Sequence, residues 1–241
     1  ALVGHSEKHF EKTGSPLFSS HMLDLSAEDI DFNLSECERV LKRMAPIGMS
    51  LEIELGVTGG EEDGVGSDDD IGADNPLLYT QPEDCLRAYQ LLSPIGHFSL
   101  AASFGNVHGV YKPGNVKLRP EILKNSQDLV QETCSTNERP LDLVFHGGSG
   151  SDKAKIAEAL TYGVFKMNID TDTQFAFSKA IGTYVEENHK AFKYQIDPEE
   201  GIPYKKQYDP RKYLRVAEQS MVARLDEAFI DLGSVGKTLA S

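Results

Sequence analysis

Apolar and polar residues alternate along the chain in a pattern that predicts strands and helices in turn. Five runs are strand-like: residues 16–25, 50–55, 98–104, 141–145 and 164–169. Most of the segments between them are amphipathic, as in 30–44, where apolar residues recur at helical spacing. Strands that alternate with helices predict an α/β fold built on a parallel sheet.

Local signals place some of the helix starts and connections. Ser26 and Asp29 have the spacing of a capping box, which predicts a helix start at that point. A glycine-rich turn predicts another helix start at about Ser151. Residues 45–48 (APIG) and 93–96 (SPIG) nearly repeat, and each leads into a strand. One αβ unit used twice is what a parallel sheet requires.

The C-terminal ends of the predicted strands carry polar residues, which are Glu54, His108, His146, Asn168, Asp170 and Thr171. An open doubly wound sheet binds its ligand mainly at one switch point, so only a few of its strand ends need polar residues. A (β/α)₈ barrel gathers all its strand ends at one face and often holds phosphate with the loops after its last two strands. The pattern therefore favours the barrel, with 147–151 and 168–173 as those two loops.

The stretch 143–151 (LVFHGGSGS) resembles a nucleotide-binding loop but fails both common motifs. A Walker A loop needs Gly-Lys-Ser/Thr, whereas this loop continues as Ser-Asp-Lys-Ala. The G-x-G-x-x-G fingerprint fails because Lys153 stands at the third glycine position. A glycine-rich turn before a helix suits an oxyanion such as phosphate. A tight turn with an N-cap explains the same residues equally well.

Two histidines and three glutamates are candidates for chemistry. His108 and His146 follow nearly adjacent strand units and Glu54 ends a third; imidazoles with a carboxylate are a common zinc set. A single histidine at a strand end is more often a hydrogen-bonded core residue. Glu61 and Glu62 lie in a loop bracketed by glycines, which permits a lid that carries a general base. A solvated charge run is the alternative for that loop.

Composition and charge narrow the possible partners. The 241 residues are 39% hydrophobic and carry a formal net charge of −14, so we expect binding neither to nucleic acid nor to membranes. No apolar stretch is long enough to span a bilayer, and the first residues carry no signal-peptide pattern. Cys37, Cys85 and Cys134 lack metal-ligand spacing, which indicates free thiols in a reducing compartment, the cytoplasm.

Six motifs taken together closely resemble class II, metal-dependent fructose-bisphosphate aldolases of the long bacterial and fungal type. They are LFSSHMLDLS, LEIELGVTGGEEDGV, AASFGNVHGVYKPGNV, VFHGGSGS, KMNIDTDTQ and YDPRKYLR. The resemblance covers essentially the whole chain. It implies a (β/α)₈ barrel and a cytoplasmic homodimer of glycolysis and gluconeogenesis. The implied reaction is reversible cleavage of fructose 1,6-bisphosphate to dihydroxyacetone phosphate and glyceraldehyde 3-phosphate.

The same resemblance assigns roles to individual residues. Catalytic Zn²⁺ would bind His108 and His146, with Glu54 as an alternate or second-site ligand, and Glu62 would be the acid/base. The residues expected to hold the sugar phosphates are Gly109, Lys112, Gly147, Ser149, Asn168, Asp170, Thr171 and Arg211. Gly109 and Gly147 would also line a site for a monovalent cation, K⁺ or Na⁺, and Arg211 would reach the far phosphate of the partner subunit. Zinc would polarise the ketone and stabilise the enediolate, so no Schiff-base lysine is needed.

The resemblance also implies a family segment ahead of Ala1, with the first three barrel strands, the third zinc histidine and a proton-transferring aspartate. Because a barrel needs eight strands and the chain shows five runs, we expect residues 1–241 to be one partial barrel domain. Its C-terminal helical extension would run from about 197 to 241. We expect negligible turnover from this chain alone, and aggregation through open strand edges.

Two alternatives to fructose-bisphosphate cleavage stay open at this point. One is a tagatose-bisphosphate aldolase, which shares the metal chemistry. The other is a truncated, non-catalytic protein that binds sugar phosphate or serves as an interaction surface.

Overall fold

The computed structural model describes residues 1–60, 78–108 and 117–237, and the chain separates into two compact units, Ala1–Asn168 and Ile169–Ser241. Within the described residues, no helix is both long and apolar enough to cross a membrane.

A parallel sheet of five strands forms the centre of the first unit. Its strands, in sheet order, are β1 (Ser20–Leu23), β2 (Ser50–Leu55), β4 (Phe98–Ala102), β6 (Leu143–Phe145) and β7 (Val164–Met167). The short strands β3 (Gly59–Gly60) and β5 (Val107–His108) pair with each other, also in parallel. Each of the five predicted runs contains one strand of the larger sheet, and the predicted α/β class is confirmed. Because sheet order follows chain order, the described strands contain no topological switch point.

Helices alternate with the strands of this unit. They are α1 (Leu2–Thr13), α2 (Ile30–Met44), α3 (Pro82–Leu92), α4 (Glu121–Cys134) and α5 (Lys153–Thr161), with a 3₁₀ turn at Ala45–Ile47. The apolar faces of α2 and α3 bury Leu41, Met44 and Leu92, and strands β2 and β4 bury Ile53 and Leu100. This core excludes water from one face of the sheet and leaves the other face for polar side chains.

Two predicted helix starts differ from the observed ones. The capping box of Ser26 and Asp29 is wrong, because α2 begins at Ile30 with Asp29 itself as N-cap, accepting from the Asp31 N–H at 2.9 Å. The Ser26 hydroxyl instead donates to Asp24 (2.7 Å). Helix α5 begins at Lys153, two residues after Ser151, because the preceding aspartate accepts two first-turn N–H groups. In both cases a carboxylate satisfies the free N–H groups of the first turn.

The second unit is helical where the structure describes it. It contains α6 (Thr171–Glu187), α7 (His189–Lys193), α8 (Lys205–Tyr208) and α9 (Pro210–Asp231). Helices α6 and α9 pack together, and Arg224 of α9 pairs with Asp172 of α6 at 2.9 Å. The helices α8 and α9 lie within the predicted C-terminal extension. That the chain forms one partial barrel domain stays a prediction.

Candidate active site

The two-residue alternation of β2 places Glu52 and Glu54 on the same face of the strand. Both are buried, at 7% and 2% exposure, while Leu51 and Ile53 lie on the opposite face in the core. A buried carboxylate is costly unless it is paired or hydrogen-bonded, so each glutamate needs a partner on this face.

His146 is the partner that Glu52 and Glu54 share. It follows β6 directly and is 4% exposed. Its Nε2 lies 2.9 Å from Glu52 Oε1, and its Nδ1 lies 3.2 Å from Glu54 Oε2. Burial disfavours the protonated ring, but the hydrogen bonds to Glu52 and Glu54 outweigh burial and raise the pKa of His146 to about 9. The imidazole is therefore a cation held between two carboxylates.

Lys166 of β7 completes the charge balance of this cluster. Its Nζ lies 2.6 Å from Glu52 Oε2. Burial raises the pKa of Glu52, but the hydrogen bonds from His146 and Lys166 lower it below its usual range. Strands β2 and β7 are separated by β4 and β6, which in a flat sheet would put them about 14 Å apart. The 2.6 Å contact therefore indicates a sheet that curves toward its polar face.

Hydroxyl groups tie Glu54 and the end of β2 to the end of β4. Thr58 Oγ1 donates to Glu54 Oε1 (2.8 Å) and lies 3.4 Å from Ser103 Oγ. The Thr80 hydroxyl donates to the Leu55 carbonyl and accepts from the Ser103 N–H. These bonds fix the position at which the chain leaves β2.

His108 lies close to His146 at the same edge of the sheet. The ring centroids are 6.0 Å apart, with an angle of 33° between the planes. Asn106, which is 1% exposed, donates to the His146 carbonyl (3.0 Å) and accepts from the Phe104 N–H (2.8 Å). One buried amide thus fixes the backbone near both histidines.

These residues fit zinc in the kind of donor atoms they offer. Two imidazoles and a carboxylate are ordinary zinc ligands, and His108, His146 and Glu54 lie together. His146 must exchange one of its carboxylates for the ion, because both ring nitrogens are bonded here. Over 1–60, 78–108 and 117–237, no set of three or more His, Cys, Asp or Glu side chains is already arranged as a metal site.

The glycine-rich loop after His146 packs closely against its neighbours. Gly147 has φ +62°, and a Cβ there would lie 2.1 Å from the Val107 carbonyl oxygen, so only glycine fits. The Gly148 N–H donates to the Asn168 carbonyl at 2.9 Å. Ser149 is buried, and the enclosed Ser151 hydroxyl finds no partner among the described residues. The loop therefore offers polar groups beside the histidines, at the end of β6.

The structure brings some predicted site residues together and places others elsewhere. Six of them share the strand-end region of the first unit: Glu54, His108, His146, Gly147, Ser149 and Asn168. Asp170 and Thr171 lie in the second unit at the start of α6, where Asp170 accepts from Gln174 (2.8 Å). Arg211, also in the second unit, is in the first turn of α9, 88% exposed and paired with Asp209. Glu62, Gly109 and Lys112 lie outside the described residues.

Three residues of the cluster were missed by sequence reasoning: Glu52, Lys166 and Asn106. The signal for Glu52 was present, since a two-residue period puts it on the same strand face as Glu54. Lys166 and Asn106 gave no such signal, because their partners are distant along the chain.

Comparison with known proteins gives a consistent result. The sequence profile of the family described as "Fructose-bisphosphate aldolase class-II" matches residues 4–237. A fructose-bisphosphate aldolase of Campylobacter jejuni is 55% identical over 240 residues, which is 98% of this chain and 67% of that protein. A "Fructose-bisphosphate aldolase class 2" of Escherichia coli is 52% identical over 237 residues, 97% of this chain and 65% of that protein. The chain thus spans about two thirds of the length of these relatives.

Solved structures agree with the sequence relatives. The crystal structure of fructose-bisphosphate aldolase from Campylobacter jejuni matches with a TM-score of 0.83 and 50% identity, covering 98% of this chain and 67% of that one. The YdjI aldolase of Escherichia coli, at 24% identity and a TM-score of 0.62, covers 95% of this chain and 66% of that one and supports the fold alone. The chain belongs to the class II fructose-bisphosphate aldolase family.

Proposed function

We propose that the protein catalyses the reversible cleavage of fructose 1,6-bisphosphate to dihydroxyacetone phosphate and glyceraldehyde 3-phosphate. The observation that carries this proposal is the buried cluster of Glu52, Glu54 and His146, with His108 beside it and a glycine-rich loop directly after it. Metal-ligand chemistry and an oxyanion loop at one sheet edge are what a metal-dependent sugar-phosphate aldolase needs.

His108 and His146 would hold the catalytic Zn²⁺, with Glu54 as alternate or second-site ligand. When bound, the ion supplies Lewis-acid polarisation of the substrate ketone. The hydrogen bond from the Thr58 hydroxyl orients the Glu54 carboxylate toward His146.

Other residues of the chain would bind and orient the sugar phosphates. Backbone N–H groups of the loop after His146, with Ser149, would hold one phosphate, and Asn168, Asp170 and Thr171 would also contact the sugar phosphate. Gly147 and neighbouring carbonyls would line a site for K⁺ or Na⁺. Gly109 and Lys112 are proposed contacts from the family resemblance, and Glu62 from the same resemblance would move the proton at the carbon of dihydroxyacetone phosphate.

The wider assignments are part of the same proposal. The parallel sheet would belong to a (β/α)₈ barrel, and the protein would act in the cytoplasm as a homodimer. In that dimer Arg211 of one subunit would reach the far phosphate in the other.

Coupled detection of glyceraldehyde 3-phosphate tests the activity in two purified proteins, this chain alone and this chain preceded by the family's N-terminal segment. We expect the longer protein to cleave fructose 1,6-bisphosphate in a reaction that is lost with EDTA and restored by Zn²⁺, and this chain alone to show negligible turnover. Activity that survives chelation, or a lysine adduct trapped by borohydride with substrate, would overturn the zinc assignment.

The two competing functions have their own readouts. Faster cleavage of tagatose 1,6-bisphosphate, the C4 epimer, would identify a tagatose-bisphosphate aldolase. Calorimetric binding of sugar phosphate with no turnover, on a chain whose length is verified by mass spectrometry, would identify a non-catalytic binding protein. The expectation of negligible turnover from this chain alone is decided by the same assay.

A further inference from the structure

Glu52 is engaged through both of its carboxylate oxygens, and its two partners come from different strands. Oε1 accepts from His146 Nε2 at 2.9 Å, and Oε2 accepts from Lys166 Nζ at 2.6 Å. The residue is 7% exposed, so water competes little for either oxygen. A buried carboxylate whose two oxygens are each hydrogen-bonded to a nitrogen of a different strand unit has a fixed orientation.

The two nitrogens of His146 are held differently. Nε2 faces Glu52 at 2.9 Å, whereas Nδ1 faces Glu54 at the longer distance of 3.2 Å. Glu54 has the Thr58 hydroxyl as its other partner, while Glu52 has the lysine ammonium. The Nε2 bond is therefore the shorter one and has the better-anchored acceptor, and the Nδ1 bond is the easier one to exchange.

We propose that Glu52 is a positioning residue for His146, and that Lys166 keeps it in place. By accepting the Nε2 hydrogen, Glu52 holds the ring so that Nδ1 is the nitrogen presented to a divalent cation, in exchange for Glu54. The inference rests on the proposed function, because it takes His146 as a metal ligand. A ligating histidine typically donates its other N–H to a carboxylate, and losing that partner costs about 10–100-fold in metal affinity.

Lys166 gives Glu52 a second anchor that does not involve His146. Its Nζ lies 2.6 Å from Oε2, so the buried carboxylate keeps a counter-charge when the histidine ring binds another group. If Glu52 and Lys166 had only a structural role, the same ion pair would form. Removing it would then not change which ring nitrogen of His146 binds the metal.

Zinc dissociation constants, measured by competition with a chromophoric chelator, test the proposal. Glu52→Gln should weaken zinc binding by about 10–100-fold. Lys166→Met should weaken it in the same direction by a smaller factor. The matched control is Lys155→Met, which removes a lysine from the part-exposed pair with Glu158 (2.8 Å) and should leave the constant within about twofold.

Nitrogen-15 spectra of histidine-labelled protein supply a readout that a structural role would not move. In the zinc-loaded wild type, His146 should carry its hydrogen on Nε2 and the metal on Nδ1. In Glu52→Gln the Nε2 hydrogen should exchange faster with water. Metal on Nε2 with the hydrogen on Nδ1 in the wild type overturns the proposal.

Zinc affinities of the wild type and of Glu52→Gln distinguish failure of this proposal from failure of the proposed function. If the wild type binds zinc and Glu52→Gln binds it equally tightly, the positioning role is wrong and the zinc assignment stands. If the wild type binds no zinc, the zinc assignment fails and the positioning role fails with it. Thermal unfolding establishes that each variant is folded; if Glu52→Gln is not, an unchanged zinc constant in Lys166→Met overturns the proposal.

Discussion

His146 shows how one residue acquires its properties from neighbours that are remote in sequence. A histidine at a strand end is common, and the residues around His146 in the sequence allowed two interpretations, a core residue or a metal ligand. Hydrogen bonds to Glu54 and to Glu52, which lies 94 positions away, outweigh burial, raise the pKa of His146 to about 9 and make it a cation. The sequence thus identified the residue, and only its spatial partners gave it a defined charge and orientation.

Removing the His146 imidazole should destabilise the metal-free protein strongly. In His146→Ala the buried Glu54 loses its charged partner and Glu52 keeps only Lys166, so we expect a loss of about 3–5 kcal/mol in the free energy of unfolding. Urea titration followed by circular dichroism measures this loss in the free energy of unfolding.

His97→Ala is the control for that substitution, because His97 pairs with Asp142 at a similar distance, 2.8 Å, but with both side chains at least half exposed. Its cost should be about 1 kcal/mol or less. Equal losses in the two variants would contradict the role given to burial.

At Gly147 the backbone conformation and a close backbone neighbour leave no room for a side chain. We expect Gly147→Ala to destabilise the protein by more than the about 1–2 kcal/mol of left-handed strain alone, because the added methyl meets the Val107 carbonyl oxygen. Gly48→Ala is the control, since Gly48 has φ +76° with nothing within 4 Å of the added carbon. Urea unfolding of the two variants compares the costs, and a smaller loss at Gly147 would refute the close contact.

At the scale of secondary-structure elements, the alternation of residues in the strands and the apolar faces of the helices determine which surfaces pack into the core. The sequence predicted the strands because run 50–55 alternates apolar and polar residues, run 98–104 is mainly apolar, and turn residues flank both. It misplaced the cap of α2, since Ser26 and Asp29 both suit a cap and the choice depends on where the chain leaves β1. Helices α2 and α3 then turn their apolar faces inward and bury Cys37 and Cys85.

Thiol reactivity should follow this helix geometry. Burial raises the pKa of both Cys37 and Cys85 to about 12, so their reactive thiolates are scarce at pH 8, whereas Cys134, at the end of α4, is part-exposed. Iodoacetamide on the native protein should label Cys134 first, as peptide mass spectrometry would show. In roughly 8 M urea, which exceeds the unfolding midpoint of ordinary domains, all three cysteines should react. Native labelling of Cys37 or Cys85 at the rate of Cys134 would contradict this.

At the scale of the whole molecule, curvature of the sheet and the net charge are properties of no single element. The ion pair of Glu52 and Lys166 spans from β2 to β7 across two intervening strands. A formal charge of −14 is spread over the chain, while the cluster around His146 balances its own charges locally. Self-repulsion of the remaining charge opposes the folded state.

Moderate salt should therefore stabilise the protein. Raising NaCl from about 10 to about 150 mM shortens the screening length from about 30 to about 8 Å, which weakens long-range repulsion more than contact ion pairs. We expect the thermal unfolding midpoint to rise at pH 7, as measured by differential scanning fluorimetry. At about pH 4.9, where the net charge is near zero, the same change should have little effect. A fall in the midpoint at pH 7 would mean that ion pairs dominate.

The sequence by itself determined the α/β class, the five strand positions, the family resemblance and the identity of His108, His146 and Glu54 as candidates. These follow from period, local composition and short motifs, which are properties of neighbouring residues. Only the tertiary structure decided that Glu52, Lys166 and Asn106 complete the cluster, and that Glu52 and Glu54 face different ring nitrogens of His146. Those facts depend on distances between strands that are far apart in the chain, and the curvature that sets such distances is a property of the assembled sheet.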